Sequence, residues 1–322
     1  MRLLKAPFPW FGGKSRVTHL VWPRLGNVSN YVEPFAGSLA MLLGRPLEWP
    51  AGLEIVNDLD SYVANFWRAI QHDSEAVAAA ADWPVNECDM RARHQWLHDQ
   101  VEFRKRMLAD PDYYDAKIAG WWVWGISSWI GSGWCSIPTN ERFPRRRVGK
   151  SGKDKALSKQ IPLLRKGGRG ITRQIPEIIH GCVVSDHAAD IYGYMERLAD
   201  RLRHVRVCCG DWSRVLTPAA TVGNGVTGVF LDPPYGGDRA TVYAVDSFDV
   251  ATGVQEWCRE NGQDQRLRIA LCGYAGDHEV LESEGWTVVA WKAVGGYGSH
   301  GEHHENAALE RIWFSPGCQR KA

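Results

Sequence analysis

A short apolar run that ends abruptly at an acid and two prolines constrains the fold of this chain most. Residues 229–231 are Val, Phe and Leu, typical of a buried strand, and Asp232, Pro233, Pro234 and Tyr235 follow at once. Proline lacks an N–H group and has a fixed φ, so the strand ends before Pro233. Because ligands bind at the carboxyl ends of strands in open α/β sheets, functional side chains are expected here.

Two further strand ends are predicted in the N-terminal part of the chain. The first strand end consists of Glu33, Pro34, Phe35 and Gly37, and a helical run follows it. This strand–turn–helix order is typical of a Rossmann-like cofactor site, and an ordinary β–α turn is the alternative. Asp58 ends the second strand about 20 residues after the glycine, where an acid is placed to bind ribose hydroxyls. A cap for the helix predicted over residues 59–70 is the alternative for Asp58.

An aromatic residue, two glycines and a lysine lie near the N-terminus. They are Trp10, Gly12, Gly13 and Lys14. The glycines predict a turn, and Ser15 is expected to cap the helix that follows. The spacing differs from G-x-x-x-x-G-K-[ST], so this segment is not a phosphate-binding P-loop.

These motifs resemble those of the Dam-like adenine DNA methyltransferases, an alpha-type (D12) class of amino-group methyltransferases. Residues 232–235 resemble the Asp-Pro-Pro-Tyr catalytic motif, and residues 33–37 resemble the Glu-Pro-Phe-x-Gly cofactor motif. The resemblance implies that the turn passes under S-adenosyl-L-methionine and that Trp10 and Lys14 lie beside the methionine end. The implied fold is α/β, a Rossmann-like methyltransferase mixed sheet with an inserted, mostly helical target-recognition domain.

The implied chemistry is methyl transfer to an exocyclic amine, which is a poor nucleophile because its lone pair is delocalised into the base. The Asp232 carboxylate and a backbone carbonyl would accept both N–H bonds and localise that lone pair. The Tyr235 ring would stack on a base flipped out of the duplex. A fourth strand end, Asp211-Trp212, would hold the adenine of the cofactor in this family. Capping a helix over residues 212–216 is the alternative for Asp211.

A long insertion separates the cofactor motifs from the catalytic motif, the order seen in the alpha-type class. We predict a catalytic domain formed by residues 1–71 and 201–322, and an inserted target-recognition domain over residues 72–200. Helices are expected mainly over residues 77–81, 91–107 and 113–124. Two strands near the C-terminus are expected to form an antiparallel hairpin that closes the sheet.

A basic stretch in the insertion is the candidate DNA-binding segment. The candidate residues are Arg142, Arg145, Arg146, Arg147, Lys150, Lys153, Arg165, Lys166 and Arg169. The whole chain has a net charge of only +1, so this positive charge is local. Such density suits phosphate contacts, and a solvated linker is the alternative.

Several other classes of protein are disfavoured. The eight cysteines include no C-x-x-C pair, which argues against a zinc site or disulfide framework and fits a reducing cytoplasm. His300, His303 and His304 lack a suitably spaced acid or cysteine, so no metal is expected. The N-terminus lacks the apolar core of a signal peptide, and the apolar window over residues 121–134 is short and broken by glycines. No membrane association is expected.

The sequence therefore predicts a cytoplasmic, monomeric enzyme that transfers methyl from S-adenosyl-L-methionine to the N6 atom of adenine in double-stranded DNA, with base flipping. A cognate restriction endonuclease is a further candidate partner. Methylation of cytosine N4 and catalytically inactive DNA binding are the alternatives. No motif names the recognition sequence, because base readout depends on a few side chains in the insertion.

Overall fold

The structure is a computed structural model that describes residues 4–10, 12–50, 52–129, 134–135, 178–179, 182–183, 191–234, 247–292 and 310–320. The strands in these segments are β1 (Asn30–Glu33), β2 (Leu53–Asp58), β3 (Ile178–Ile179), β4 (Cys182–Val183), β5 (Val205–Cys209), β6 (Thr227–Leu231), β7 (Leu267–Tyr274), β8 (Thr287–Ala290) and β9 (Glu310–Phe314). The helices are α1 (Thr18–Leu25), α2 (Ala40–Leu43), α3 (Ser61–Ala81), α4 (Glu87–His98), α5 (Val101–Ala109), α6 (Ala116–Ser128), α7 (Ile191–Leu202), α8 (Ser247–Asn261) and α9 (Val280–Ser283).

Seven of these strands form one mixed sheet in the order β5-β2-β1-β6-β7-β9-β8, and β3 and β4 form a separate antiparallel pair. The first five strands of the sheet are parallel, whereas β9 is antiparallel to both β7 and β8. The α/β prediction and the antiparallel C-terminal strands are therefore confirmed. The strand order reverses at β1, which lies between β2 and β6, and such a switch point is where open sheets bind ligands.

The central strands β1 and β6 are buried on both faces, as expected for parallel strands. All five residues of β6 are buried. Side chains alternate between the faces, so Tyr31, Phe230 and Ile312 join one core cluster and Val32 and Leu231 join the other. The first cluster extends into α1, α3 and α6, and the second includes residues of α8.

Two helix predictions are wrong in detail. The helix expected over residues 91–107 is two helices, because α4 ends at His98 and α5 begins at Val101. Ser15 does not cap α1, which begins at Thr18 after Val17 without a side-chain cap. The backbone carbonyl of Ser15 instead accepts a hydrogen bond from the Thr18 hydroxyl.

The predicted domain boundary between residues 71 and 72 falls inside α3, close to a kink at Asp73 where φ is −154° and ψ is 60°. An aromatic cluster joins the two sides of this boundary. The Phe8 ring centroid lies 5.7 Å from that of Trp67 and 4.9 Å from that of Trp122. The helical segment thus packs directly on the N-terminal segment, and the division into two domains stays a prediction.

A buried ion cluster joins β2 to α7. The Glu54 carboxylate, with a side chain 3% exposed, lies 3.1 Å from Arg45 Nη1 and 2.7 Å from Arg201 Nη1. Arg45 Nη2 also donates to the carbonyls of Val28 and Pro50. The guanidinium groups of Arg45 and Arg201 therefore share the Glu54 carboxylate.

Each helix in the described segments is too short or too polar to cross a bilayer.

Candidate active site at the carboxyl edge of the sheet

Four predicted acids converge where the parallel strands end. Glu33 and Asp58 are the last residues of β1 and β2, Asp232 directly follows β6, and Asp211 lies just beyond β5. These strands are neighbours in the sheet, so their carboxyl ends lie along one edge. The strand ends predicted from separate motifs are therefore brought together.

An ion pair joins the N-terminal motif to the catalytic motif. Lys14 Nζ lies 2.7 Å from Asp232 Oδ1, with the two side chains 3% and 21% exposed, respectively. Lys14 Nζ also donates to the carbonyl of Gly12 at 2.9 Å. Burial lowers the pKa of Lys14, but Asp232 and other acidic neighbours outweigh it and leave the pKa above its ordinary value. Lys14 therefore stays protonated and buried, whereas the side chain of its partner Asp232 is partly exposed to solvent.

The two prolines after Asp232 differ in exposure. Pro233 is buried and Pro234 is half-buried. Tyr235, the fourth residue of the motif, lies outside the described residues, as do the predicted DNA-binding residues from Arg142 to Arg169 and the histidines at 300, 303 and 304. Within the described segments, no three His, Cys, Asp or Glu side chains are grouped as metal ligands.

The glycine turn after β1 is held from three sides. Gly37 has φ +45°, and a Cβ atom there would overlap the indole of Trp10. The Gly37 N–H donates to Asp58 Oδ2 at 2.8 Å, and its carbonyl accepts from Trp67 Nε1 at 2.9 Å. Gly13 closes the other turn by donating to the Trp10 carbonyl at 3.1 Å. The bare backbone of Gly37 therefore lets Trp10 approach the strand edge.

Asp58 braces this turn and does not cap the following helix. The cap of α3 is Asp60, which accepts from Tyr62 N–H at 2.8 Å. Asp58 Oδ1 accepts from the Asp60 N–H at 2.9 Å. Burial, followed by the neighbouring Asp60 charge, raises the pKa of Asp58 to about 7, although the residue is only half-buried. The ribose-binding role of Asp58 stays a prediction.

Phe35 and Trp212 form an aromatic pair beside the edge. Their ring centroids are 6.2 Å apart and the planes are inclined by 27°. Both rings are half-buried, so each keeps an exposed part. Asp211 is exposed, and its Oδ1 accepts from Ser213 N–H at 2.9 Å, which caps a 3-10 turn over Trp212–Val215. The capping alternative for Asp211 is confirmed, and adenine recognition stays a prediction.

The sequence prediction missed Asn57, which ties two strand ends together. Its Nδ2 donates to the Pro34 carbonyl at 3.0 Å and to the Gly210 carbonyl at 2.9 Å. The side chain is buried and satisfies two loop carbonyls that would otherwise lack partners. A polar residue inside an apolar strand, directly before the strand-end acid, was the available signal.

Glu33 is buried rather than directed to solvent. It is 2% exposed, and its Oε2 accepts from the Tyr31 hydroxyl at 3.0 Å. Burial dominates the electrostatics and raises the pKa of Glu33 to about 8, with the Asp232 charge acting in the same direction. At neutral pH this carboxyl is therefore largely protonated.

The Glu33 pKa predicts a pH-dependent stability. The folded-state pKa of about 8 exceeds the ordinary 4.5, so the folded chain keeps a proton that the unfolded chain loses. The contribution of Glu33 to the free energy of unfolding is therefore fully present below about pH 4.5 and is lost as pH rises toward 8. In Glu33→Gln, the fall in the free energy of unfolding from about pH 5 to pH 8 should shrink by on the order of 3 kcal/mol. Urea unfolding at both pH values measures this, with exposed Glu102→Gln as control, and equal pH slopes in all three proteins would contradict it.

The contact between Gly37 and Trp10 predicts that glycine is needed at this position for space as well as for its backbone conformation. Gly37→Ala should destabilise the chain by about 1–3 kcal/mol because alanine is strained at positive φ. The overlap of the added Cβ with the Trp10 indole should increase this loss. The matched control is Gly276→Ala, which has φ +98° but nothing within 4 Å of the added Cβ. Urea unfolding should show a clearly larger loss for Gly37→Ala. Equal losses would mean that Trp10 moves aside at no cost.

No protein-family model matches the chain, and no curated protein matches it significantly.

Proposed function

We propose that this protein is an S-adenosyl-L-methionine-dependent methyltransferase that modifies the N6 atom of adenine in double-stranded DNA. The Lys14–Asp232 ion pair carries the proposal, because it joins the N-terminal motif to the catalytic motif at the switch point of the sheet. The mixed sheet with its antiparallel C-terminal strands supports a Rossmann-like methyltransferase fold.

The residues at the edge fit the proposed cofactor. The half-buried Asp58 carboxylate, held beside the Gly37 turn, could accept hydrogen bonds from ribose hydroxyls. The exposed parts of Phe35 and Trp212 offer aromatic surface to an adenine ring. When bound, S-adenosyl-L-methionine would supply an electrophilic methyl group on a sulfonium. In this proposal Trp10 and Lys14 lie on the methionine side.

Asp232 does the chemical work in this proposal. Its carboxylate accepts an N–H bond of the target amine and directs the nitrogen lone pair at the methyl carbon. In the transfer the N–C bond would form as the methyl–sulfur bond breaks, and the sulfonium would leave as a neutral thioether. The Asp232 carboxylate would stabilise the positive charge that develops on nitrogen until the surplus proton is lost to solvent. The stiff Pro233-Pro234 backbone holds the site in place, and Tyr235 stacks on the flipped base. Catalysis then consists of positioning and hydrogen bonding, without a covalent enzyme intermediate.

Partners and setting follow from the same proposal. The inserted segment, with its basic residues from Arg142 to Arg169, contacts DNA phosphates and reads the target sequence. We propose a cytoplasmic monomer, with a restriction endonuclease as a candidate partner.

The test is transfer of labelled methyl from S-adenosyl-L-methionine to unmethylated duplex DNA, followed by identification of the modified nucleoside. N6-methyladenine is expected. N4-methylcytosine would keep the mechanism but change the target base. Absence of transfer, with S-adenosyl-L-methionine still bound, would overturn the assignment to DNA. Absence of both would overturn the methyltransferase assignment.

A further inference from the structure

Glu310 reaches the catalytic edge because β9 runs against the other strands. It is the first residue of β9 and pairs in register with Tyr274, the last residue of β7. In a parallel strand the first residue would lie at the opposite edge, away from the strand ends that carry Glu33 and Asp232. Antiparallel β9 therefore delivers a carboxylate from the C-terminal part of the chain to this site.

The alternation of side chains places Glu310 on the face that carries Lys14. Glu310 shares its face with Ile312, and Asp232 continues the face of Phe230; both apolar residues belong to one core cluster. Burial, followed by the Asp232 charge, raises the pKa of the Cys272 thiol, and Glu310 adds to that shift. Asp232 and Glu310 therefore both lie close enough to Cys272, on one face of the sheet, for their charges to act on its thiol.

Glu310 is itself held in place. Glu310 is 5% exposed, and its backbone carbonyl accepts a hydrogen bond from the backbone N–H of Trp291 at 3.1 Å. The Trp291 ring centroid lies 5.9 Å from Lys14 Nζ. Burial lowers the pKa of Lys14, and the charges that reverse this effect include both Asp232 and Glu310. Lys14 thus has two acidic neighbours, one on β9 and one after β6.

The second acid matters because of charge balance. An ammonium paired with one carboxylate alone would neutralise it and weaken its attraction for a nitrogen that becomes positive. The charges of Asp232 and Glu310 both raise the pKa of Lys14, so the ammonium divides its attraction between two acids. An Asp232 carboxylate that is only partly neutralised favours the developing cation over the neutral amine, which is the condition for faster chemistry.

We propose that Glu310 is a positioning residue that shares Lys14 with Asp232, so that Lys14 orients the Asp232 carboxylate without neutralising it. This role rests on the proposed methyl transfer, and it goes beyond it by assigning a function to the first residue of β9.

The test compares Glu310→Gln with the wild type in steady-state methyl transfer to duplex DNA. We expect kcat to fall on the order of tenfold, with KM for S-adenosyl-L-methionine and for DNA unchanged. Glu310→Asp keeps the charge and should recover most of kcat. Glu284→Gln, which removes an acid paired with Arg259 away from the site, should leave kcat unchanged. Thermal melting of each variant checks that it is folded.

A double variant tests whether Glu310 acts through Lys14. In the Lys14→Met background, adding Glu310→Gln should change kcat less than twofold, because the ammonium to be shared is gone. An undiminished effect in that background would overturn the inference. If the wild type is active, an unchanged kcat in Glu310→Gln would also overturn the inference. A loss of kcat in Glu310→Asp equal to that in Glu310→Gln would overturn it as well. A wild type that transfers nothing to DNA would instead overturn the proposed function and this inference with it.

Discussion

Asp232→Ala should abolish methyl transfer while S-adenosyl-L-methionine binding stays measurable. In the proposed mechanism the carboxylate accepts the target N–H and stabilises the charge that develops on nitrogen, so its loss should lower the single-turnover rate by about a thousandfold or more. The cofactor would depend instead on the Gly37 turn, Asp58 and the Phe35–Trp212 pair, which this substitution leaves intact. Rapid-quench methyl transfer measures the first effect, and calorimetric titration measures the second.

Two further variants separate chemistry from folding. Asp232→Ala leaves the buried Lys14 without its 2.7 Å partner, and this alone can destabilise the chain. The double variant Asp232→Ala with Lys14→Met removes that buried charge and should be inactive but more stable than the single variant. Asp264→Ala removes an acid from a surface pair with Arg266 and should keep full activity. Loss of cofactor binding equal to the loss of transfer would show that Asp232 is misassigned.

Glu54→Gln should be the most destabilising of these substitutions. It leaves Arg45, whose side chain is 1% exposed, without a counter-charge, and removes the 2.7 Å contact to Arg201. Breaking a buried pair from one side typically costs about 3–5 kcal/mol, a large part of the stability of an ordinary domain. The midpoint of urea unfolding should fall accordingly, with little change in the slope.

The control for Glu54 is an acid that also pairs with a base but is exposed. Glu102 lies 2.7 Å from Lys105, with side chains 77% and 68% exposed. Glu102→Gln should change stability by about 0.5 kcal/mol or less. A loss below about 1 kcal/mol for Glu54→Gln would mean that water reaches Arg45.

Strand ends could be predicted from the sequence because local chemistry fixes them. The apolar run before Asp232 is stopped by Pro233 and Pro234, and no distant residue is needed to end it. Helix limits are less local. The break between α4 and α5 falls at Asp99 and Gln100, and neither is the glycine or proline that would mark a helix end from the sequence.

The contacts that complete the site could not be predicted in this way. Lys14 and Asp232 are far apart in sequence, and only the docking of the N-terminal segment on the sheet pairs them. Asn57 and Glu310 are single polar residues at strand ends, and a solvated loop would place the same residues there. Their roles depend on strand order and direction, and neither property is encoded in a local pattern.

Because the charge cluster draws on distant parts of the chain, its residues emerge at different times during synthesis. Lys14 leaves the ribosome first, Asp232 much later, and Glu310 last of the three. Domains generally begin to fold from the N-terminal side while translation continues. Lys14 is therefore synthesised before Asp232 and Glu310, the acids that lie near its ammonium group in the folded chain. Nascent chains that lack β9 therefore hold an incomplete charge cluster, which is completed only after Glu310 has been translated.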